Sequence, residues 1–348
     1  MNKALEGVRI LDFSHLLQGP FATQLLGDMG ADVIKIERAG AGDMFRGMTF
    51  FAKWVGGSES PNFLAWNRNK RSIALNLKSR KVHAIIMEMA KSADVVVQNF
   101  RPGVLAKLGY GYEDFKAVNP RVIYCSGSGY GEEGPYVERP GQDMLIQGLA
   151  GLIANTGRGD QAPVPAGAGL ADQIGAMNMV YGILSALYYR EKTGKGQKIE
   201  VNLLAGLLAH LNQEYVAVLN LGEDFVRPNS GIGHPGMQAP FGIYETSDGG
   251  YISIAMSPFK TLYEVLRAPQ LAVYDDLKTL FDKRDEVFEK VNAETKKFGT
   301  QDLLARLLAA DIWCAEVKDI RRAAEDPQVT HMGMITSYDH PRGGKVRV

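Results

Sequence analysis

The most constraining feature of this chain is a pair of apolar runs, DVVVQNF (94–100) and VIYCSGS (122–128), whose β-branched and aromatic residues are nearly continuous. A strand open to water on one side alternates apolar with polar residues. One covered on both faces does not, and such strands belong to parallel sheets flanked by helices. The surrounding segments alternate accordingly: VRILDFS (8–14) reads as a strand, 20–29 as a helix, DVIKIE (32–37) and SIALNL (72–77) as strands, and 80–92 as a helix. The expected fold is α/β, a Rossmann-like doubly wound parallel sheet. Past a helix beginning near Leu203, residues 222–242 are rich in Gly and Pro, the composition of a linker. GIYETSDGGYISIAM then places an Asp-Gly-Gly turn between two alternating runs, a hairpin signal, and a helical stretch follows to about Leu308. This predicts a large domain over 1–221, a smaller α+β domain over 222–325, and a return to the large domain over 326–348.

Between Ala166 and Leu203 the sequence AGAGLADQIGAMNMVYGILSALYYREKTGKGQKIEVNL runs from a glycine-rich approach through a long helix and a basic glycine turn into a strand. Ile174, Met177, Val180, Leu184 and Leu187 recur at the spacing that lays one apolar stripe on a core. The first acidic residue of the helix is Asp172. The opening amides of a helix lack intrahelical partners and carry partial positive charge, so a carboxylate there is expected to stay ionised, and an ionised carboxylate is a nucleophile. Gly167 and Gly169 leave room for a bulky substrate. Asp is also a preferred helix cap, and both readings stand on this segment alone.

Charge and composition narrow the chemistry further. The 39 basic and 39 acidic residues cancel, which argues against nucleic acid or an anionic membrane as the main partner, so function must come from a site. The N-terminal stretch has no signal-like apolar run and no span of eighteen uncharged apolar residues occurs, so a cytoplasmic location is expected. Cys125 and Cys314 cannot build a disulfide framework and are expected as buried free thiols. The six histidines show no ligand spacing, and no metal site is expected. GYGEEG (129–134) matches G-x-G-x-x-G after a strand, but Pro135 follows where a helix should start, and Glu132 and Glu133 would face a pyrophosphate. It reads as a loop. Glu37 ends the second strand as a ribose-binding acid would, yet SHLLQGP offers a single glycine, so a dehydrogenase fits poorly.

Four blocks together carry a resemblance: LDFSHLLQGPFATQLLGDMGADVIKIERAGAGDMFRG, NRNKRSIALNLK, ADVVVQNFRPGVLAKLGYGYEDFKAVNPRVIYCSGSGYGEEGP and ADQIGAMNMVYGILSALYYREKTGKGQKIEV. They resemble successive signatures of the class III CoA-transferases, the formyl-CoA transferase and carnitine CoA-transferase family that also contains the 2-methylacyl-CoA racemases. The resemblance implies that Asp172 attacks an acyl-CoA thioester and then carries CoA as an aspartyl thioester to an acceptor carboxylate, without ATP. It implies coenzyme A or acyl-CoA as substrate with no permanently bound cofactor, a small carboxylic acid as second substrate, and an interlocked homodimer. CoA contacts are implied at Arg38, Leu75, Asn99, Phe100 and Lys107. Lys70 and Arg71, beside Leu75, are further phosphate candidates, or solvated surface charges.

The chain also departs from the pattern. The family's substrate-contacting Gln in the first strand-helix loop is Leu17 here, with Gln18 one place on. SGIGHPGMQ (230–238) replaces a run of glycines that closes over the aspartate; Gly231, Gly233 and Gly236 leave it able to move, while His234 and Pro235 alter its shape. These differences argue against formate and oxalate as the substrate pair. Racemases pair the aspartate with a histidine, where this chain has Gln142 before Asp143; a glutamine cannot move a proton, and His15 or Asp143 would have to take its place. A CoA-transferase is therefore expected over a racemase or a non-catalytic CoA-binding relative. Family members continue some dozens of residues past the point matching Val348, so a shortened chain is expected.

Overall fold

The structure, a computed structural model, describes residues 3–348 and divides into two compact units. The first takes in the chain up to Ala150, Gly167–Asn212 and Thr336–Val348; the second takes in Gly151–Ala166 and Gln213–Ile335.

Six parallel strands form the sheet of the first unit: β1 (Arg9–Asp12), β2 (Asp32–Arg38), β3 (Lys70–Leu75), β4 (Val95–Gln98), β5 (Ile123–Ser128) and β6 (Gln197–Asn202), in spatial order β3-β2-β1-β4-β5-β6. The order reverses between β1 and β4, the switch point at which doubly wound sheets open a crevice outside their carboxyl ends. Successive side chains take opposite faces. Ile10, Val95, Val97, Ile123 and Cys125 pack under α1 (Gln18–Asp28) and the long helix Leu170–Thr193. Leu11, Val96 and Tyr124 pack on the other face against Ile86, Leu105 and Phe115. The continuous apolar runs are thus shared between two cores, as anticipated for strands covered on both sides.

The Leu170–Thr193 helix crosses from β5 to β6. A crossover helix runs antiparallel to the strands it joins, which puts Asp172 at their carboxyl edge and Arg190 at the other end, where it pairs with Asp94 just ahead of β4 at 2.8 Å. Its buried face is Ile174, Met179, Val180, Ile183 and Leu187, not the stripe expected through Met177, which is exposed. The helix is apolar on both sides: Tyr181 and Tyr188 are also exposed, so spacing alone could not identify the face that packs. Cys125 is buried and Cys314 half-buried, both as free thiols.

At the chain's end β10 (Ser337–His340) and β11 (Gly344–Arg347) form an antiparallel hairpin whose turn pairs Arg342 with the buried Glu59 at 2.8 Å. The second unit holds the antiparallel sheet β7 (Gly242–Glu245), β8 (Tyr251–Ile254) and β9 (Cys314–Glu316), with the expected hairpin turning at Gly249. Its core gathers Tyr244, Ile252, Leu262, Val287, Val291 and Leu303. The single helical stretch expected after the hairpin is a series of short helices, interrupted by a 3-10 turn at Pro269–Tyr274 and by Gly299. Among the described residues no helix is long and apolar enough to cross a membrane.

Candidate active site at the carboxyl edge of the sheet

The loop after β1 and the end of β4 meet at the switch point. Asn99 accepts the His15 amide N–H through Oδ1 and donates from Nδ2 to the His15 carbonyl, both at 2.8 Å. That two-point clamp holds a strained loop. Leu16 has a φ of +65°, a costly conformation for a residue with a branched side chain, and its amide donates to Asp43. The His15 ring stands edge-on to Phe100 at 5.0 Å between centroids. Gly19, one residue into α1, lies so close to Ser14 that a Cβ would come within 2.2 Å of the serine Cβ.

Beneath this loop lies a buried charge system that sequence reading missed. The Asp12 carboxylate, wholly buried, accepts from Thr23 Oγ1 at 2.7 Å and Lys70 Nζ at 3.2 Å. Burial alone would raise its pKa, but Lys70, Lys35 and the hydroxyls of Ser14 and Thr23 hold it well below the carboxylate range. Lys35 reaches the Ser14 carbonyl at 2.7 Å and Asp43 at 2.9 Å. Glu37 takes Arg46 in a two-point grip at 2.7 Å and also the Asp43 amide; burial opposes its charge, yet these donors and Ser72 bring its pKa down to about 2. Lys70, read as a phosphate candidate, is therefore spent inside on Asp12, Asn67 and the Pro20 carbonyl, and Arg71 is spent on Asp32. Glu37 likewise serves Arg46 rather than a ribose.

Asp172 has a different environment. The cap of its helix is Gly169, so Asp172 is the third helical residue rather than the cap, and it is half-buried. Its backbone N–H donates to Asp143 Oδ1 at 3.2 Å, and Asp143 Oδ2 accepts from Gln147 Nε2 at 2.6 Å. Helix-start amides suggested an ionised carboxylate; the structure corrects this. Burial, reinforced by the neighbouring charge of Asp143, pushes the Asp172 pKa up to about 7. The helix dipole contributes only a fraction of a pKa unit at such a position, and desolvation outweighs it.

Gln18, the first residue of α1, lies against Gly175, one turn along the Asp172 helix. Its buried amide sits between Gly175 and Gly127: a Cβ on Gly175 would come within 2.8 Å of Nε2, and one on Gly127 within 2.6 Å of Oε1. Nε2 has no hydrogen-bond partner among the described residues, a buried donor left open. Gln18, Asn99, Asp143 and Asp172 thus share one neighbourhood. Gln142 is exposed beside it and caps the Asp143–Leu149 helix, its Oε1 accepting the Met144 amide N–H at 3.1 Å.

The other candidates map as follows. Arg38 and Leu75 are register partners at the carboxyl ends of β2 and β3, Arg38 exposed and Leu75 packed on the core. Lys107 is exposed on the short helix after β4. A cavity of about 120 Å³ opens at the ends of β4 and β5, lined by Asn99, Phe100, Arg101, Tyr130 and Arg139 among others. Arg101 and Arg139 were not anticipated; the signal for the first was its place directly after Asn-Phe. The GYGEEG segment is a loop bordering this cavity, with Glu132 turned to Ser126 and Lys198. Gly231 and Gly233 belong to the second unit, where the Gly231 carbonyl accepts from Ile243 of β7, the Gly233 N–H donates to Phe241 just before that strand, and His234 bonds Glu214.

Comparisons with known proteins agree on one relationship. The sequence pattern of the family described as "CoA-transferase family III" matches residues 5–348. The chain is 36% identical to succinyl-CoA:glutarate CoA-transferase of Homo sapiens over 99% of its length and 79% of the relative's. It is 41% identical to acetyl-CoA:oxalate CoA-transferase of Acetobacter aceti, covering 95% and 85%. A crystal structure of a CAIB/BAIF family protein from Brucella suis superposes with a TM-score of 0.85 at 33% identity, covering 97% of this chain and 89% of that one.

Proposed function

We propose, from the premise that the chain belongs to CoA-transferase family III, that it passes CoA from an acyl-CoA to a small carboxylic acid through covalent intermediates on Asp172. The chain is a CoA-transferase; the covalent route, the residues and the substrates are the proposal. One observation carries it: a half-buried carboxyl group at the crevice edge of a parallel sheet, with no cation beside it among the described residues, on the first turn of a helix approached by glycines.

As the anion, Asp172 attacks the thioester carbonyl carbon; the C–S bond breaks and CoA leaves as thiolate, giving a mixed anhydride. The thiolate attacks the aspartyl carbonyl of that anhydride, releasing the first carboxylic acid as its anion and leaving aspartyl-CoA. The acceptor carboxylate then repeats the two steps in reverse order, regenerating the Asp172 anion. The anhydrides are transient, and the overall reaction exchanges one thioester for another, so no ATP is required. The open Gln18 Nε2 is the donor proposed for a substrate oxygen. Arg38, Lys107 and the edge formed by Leu75, Asn99 and Phe100 are proposed to hold CoA, with Arg101 and Arg139 adding positive charge at the cavity mouth. Closure by the Gly231–Gly233 segment, a homodimer built on the exposed apolar side of the Leu170–Thr193 helix, and a cytoplasmic location complete the reading.

The named relatives act on glutarate and oxalate, and a small dicarboxylate is the proposed acceptor class. The test is a panel of succinyl-, acetyl- and formyl-CoA against glutarate, oxalate and monocarboxylates, with hydroxylamine added to trap the acyl-enzyme. Wild type should form a hydroxamate at Asp172, and Asp172→Asn should form none and transfer nothing. Transfer retained by Asp172→Asn would refute the mechanism.

A further inference from the structure

The Asp172 carboxyl group is mounted on residues that no step of the transfer uses. Asp143, almost fully buried, sends Oδ1 to the Asp172 amide N–H at 3.2 Å and Oδ2 to Gln147 Nε2 at 2.6 Å. Gln147, also buried, donates from the same nitrogen to the Ala168 carbonyl at 3.3 Å, in the glycine-rich approach to the helix. The Gly169 cap lies over Asp143, such that a Cβ there would stand 3.9 Å from Oδ1. One carboxylate and one carboxamide therefore fix the segment Ala168–Asp172 from below.

We propose that Asp143, held by Gln147, is the positioning residue of Asp172: it clamps the first turn of the nucleophile's helix and holds a like charge against the nucleophile's carboxyl group. The proposal rests on the transferase reading of Asp172. A helix turn can be anchored by an uncharged residue, and an asparagine would accept the same amide. A carboxylate in this position does more: it disfavours the Asp172 anion until substrate enters or the pH rises.

The other elements packed on the helix leave Asp143 alone in this role. Asp28 of α1 is paired with Arg68 at 2.5 Å, Lys198 of β6 is paired with Glu132, and Glu200 accepts the Glu132 amide N–H. Cys125 of β5 is buried with its thiol pushed up, and His210 bonds the Gly206 carbonyl. Among the described residues, Asp143 is the charged group that acts on Asp172.

The test follows the carboxyl carbon of Asp172 by NMR in protein labelled with 13C-aspartate, assigned with Asp172→Asn, alongside succinyl-CoA to glutarate transfer at pH 6 and pH 8. With a midpoint near 7, wild type should run at pH 6 at about one tenth of its pH 8 rate. Asp143→Asn keeps an acceptor for the Asp172 amide, gives up the bond from Gln147 and removes the charge; its midpoint should fall by about one pH unit, raising that ratio to about one half. Gln147→Leu frees one side of Asp143 and should lower kcat about tenfold with little change in KM. Superimposable titrations of wild type and Asp143→Asn, both folded, would overturn the proposal even if the transferase reading survives. Transfer by Asp172→Asn would instead overturn that reading, with the titration still reporting on Asp143.

Discussion

Two buried acidic clusters sit along the same edge of one sheet and behave in opposite ways. Around Asp12, Asp43 and Glu37 each carboxylate has a cation within reach, Lys70, Lys35 or Arg46, and the Asp12 and Glu37 carboxyls are held low. Around Asp172 and Asp143 no cation stands among the described residues, and the Asp172 carboxyl is held high. Both clusters are desolvated. Matched charge makes a rigid foundation for the β1–α1 loop, whereas unmatched charge leaves a group whose ionised form is costly and reactive.

The comparison breaks first at Asp172. Asp172→Asn should reduce transfer by at least about 10³-fold, read as kcat/KM with succinyl-CoA. It should also stabilise the fold at high pH. The Asp172 pKa is raised from 3.8 to about 7, so the folded state binds a proton that the unfolded state does not in that window. Stability of the wild type therefore falls as pH rises through it and stays reduced above 7. The variant lacks this cost, and its advantage should grow by about 4 kcal/mol between pH 4 and pH 8 in urea melts.

The matched cluster should respond with the opposite sign. Lys70→Met strands Asp12 in a dry site and should cost about 3–5 kcal/mol of stability, most of it recovered when Asp12→Asn is added. Glu37 contributes stability that is fully present above its ordinary value of 4.5 and lost as pH falls toward about 2, so Arg46→Met should flatten acid denaturation in that range.

Smaller effects test the ground between the clusters. Asn99→Ala removes both bonds to the His15 backbone and should cost about 2 kcal/mol, with a raised KM for the acyl-CoA. Gly175→Ala, whose Cβ would press on Gln18 Nε2 and Leu203 at 2.8 Å, should cost about 1 kcal/mol in the same melts and lower kcat several-fold by turning the open amide aside.

Much of this architecture was legible in the sequence because it is local. The runs around Val95–Val97 and Ile123–Cys125 announced strands covered on both faces, and the Asp-Gly-Gly turn announced the small hairpin. The charge states were not legible, because they are set by distant residues. Lys35 and Glu37 in DVIKIE look like the polar half of an ordinary alternating strand; their partners Asp43 and Arg46 lie in a loop, and Lys70 reaches Asp12 across 58 positions. Asp172 was read from its own helix, while the group that alters it is 29 positions earlier. Met177 was misplaced for a related reason: with apolar residues on both sides of the helix, only the partner surface selects the face.

The terminal hairpin ties the history of the chain to its geometry. Arg342 and Glu59 are 283 positions apart (342 − 59), and bringing such distant points together costs about 5 kcal/mol of chain entropy beyond a fixed constant when the intervening segment is loose. On a ribosome, the loop carrying Glu59 and the sheet below it emerge long before the strand pair that locks them. The pair that locks Glu59 therefore forms only after the second unit, which lies between them in the chain, has been synthesised.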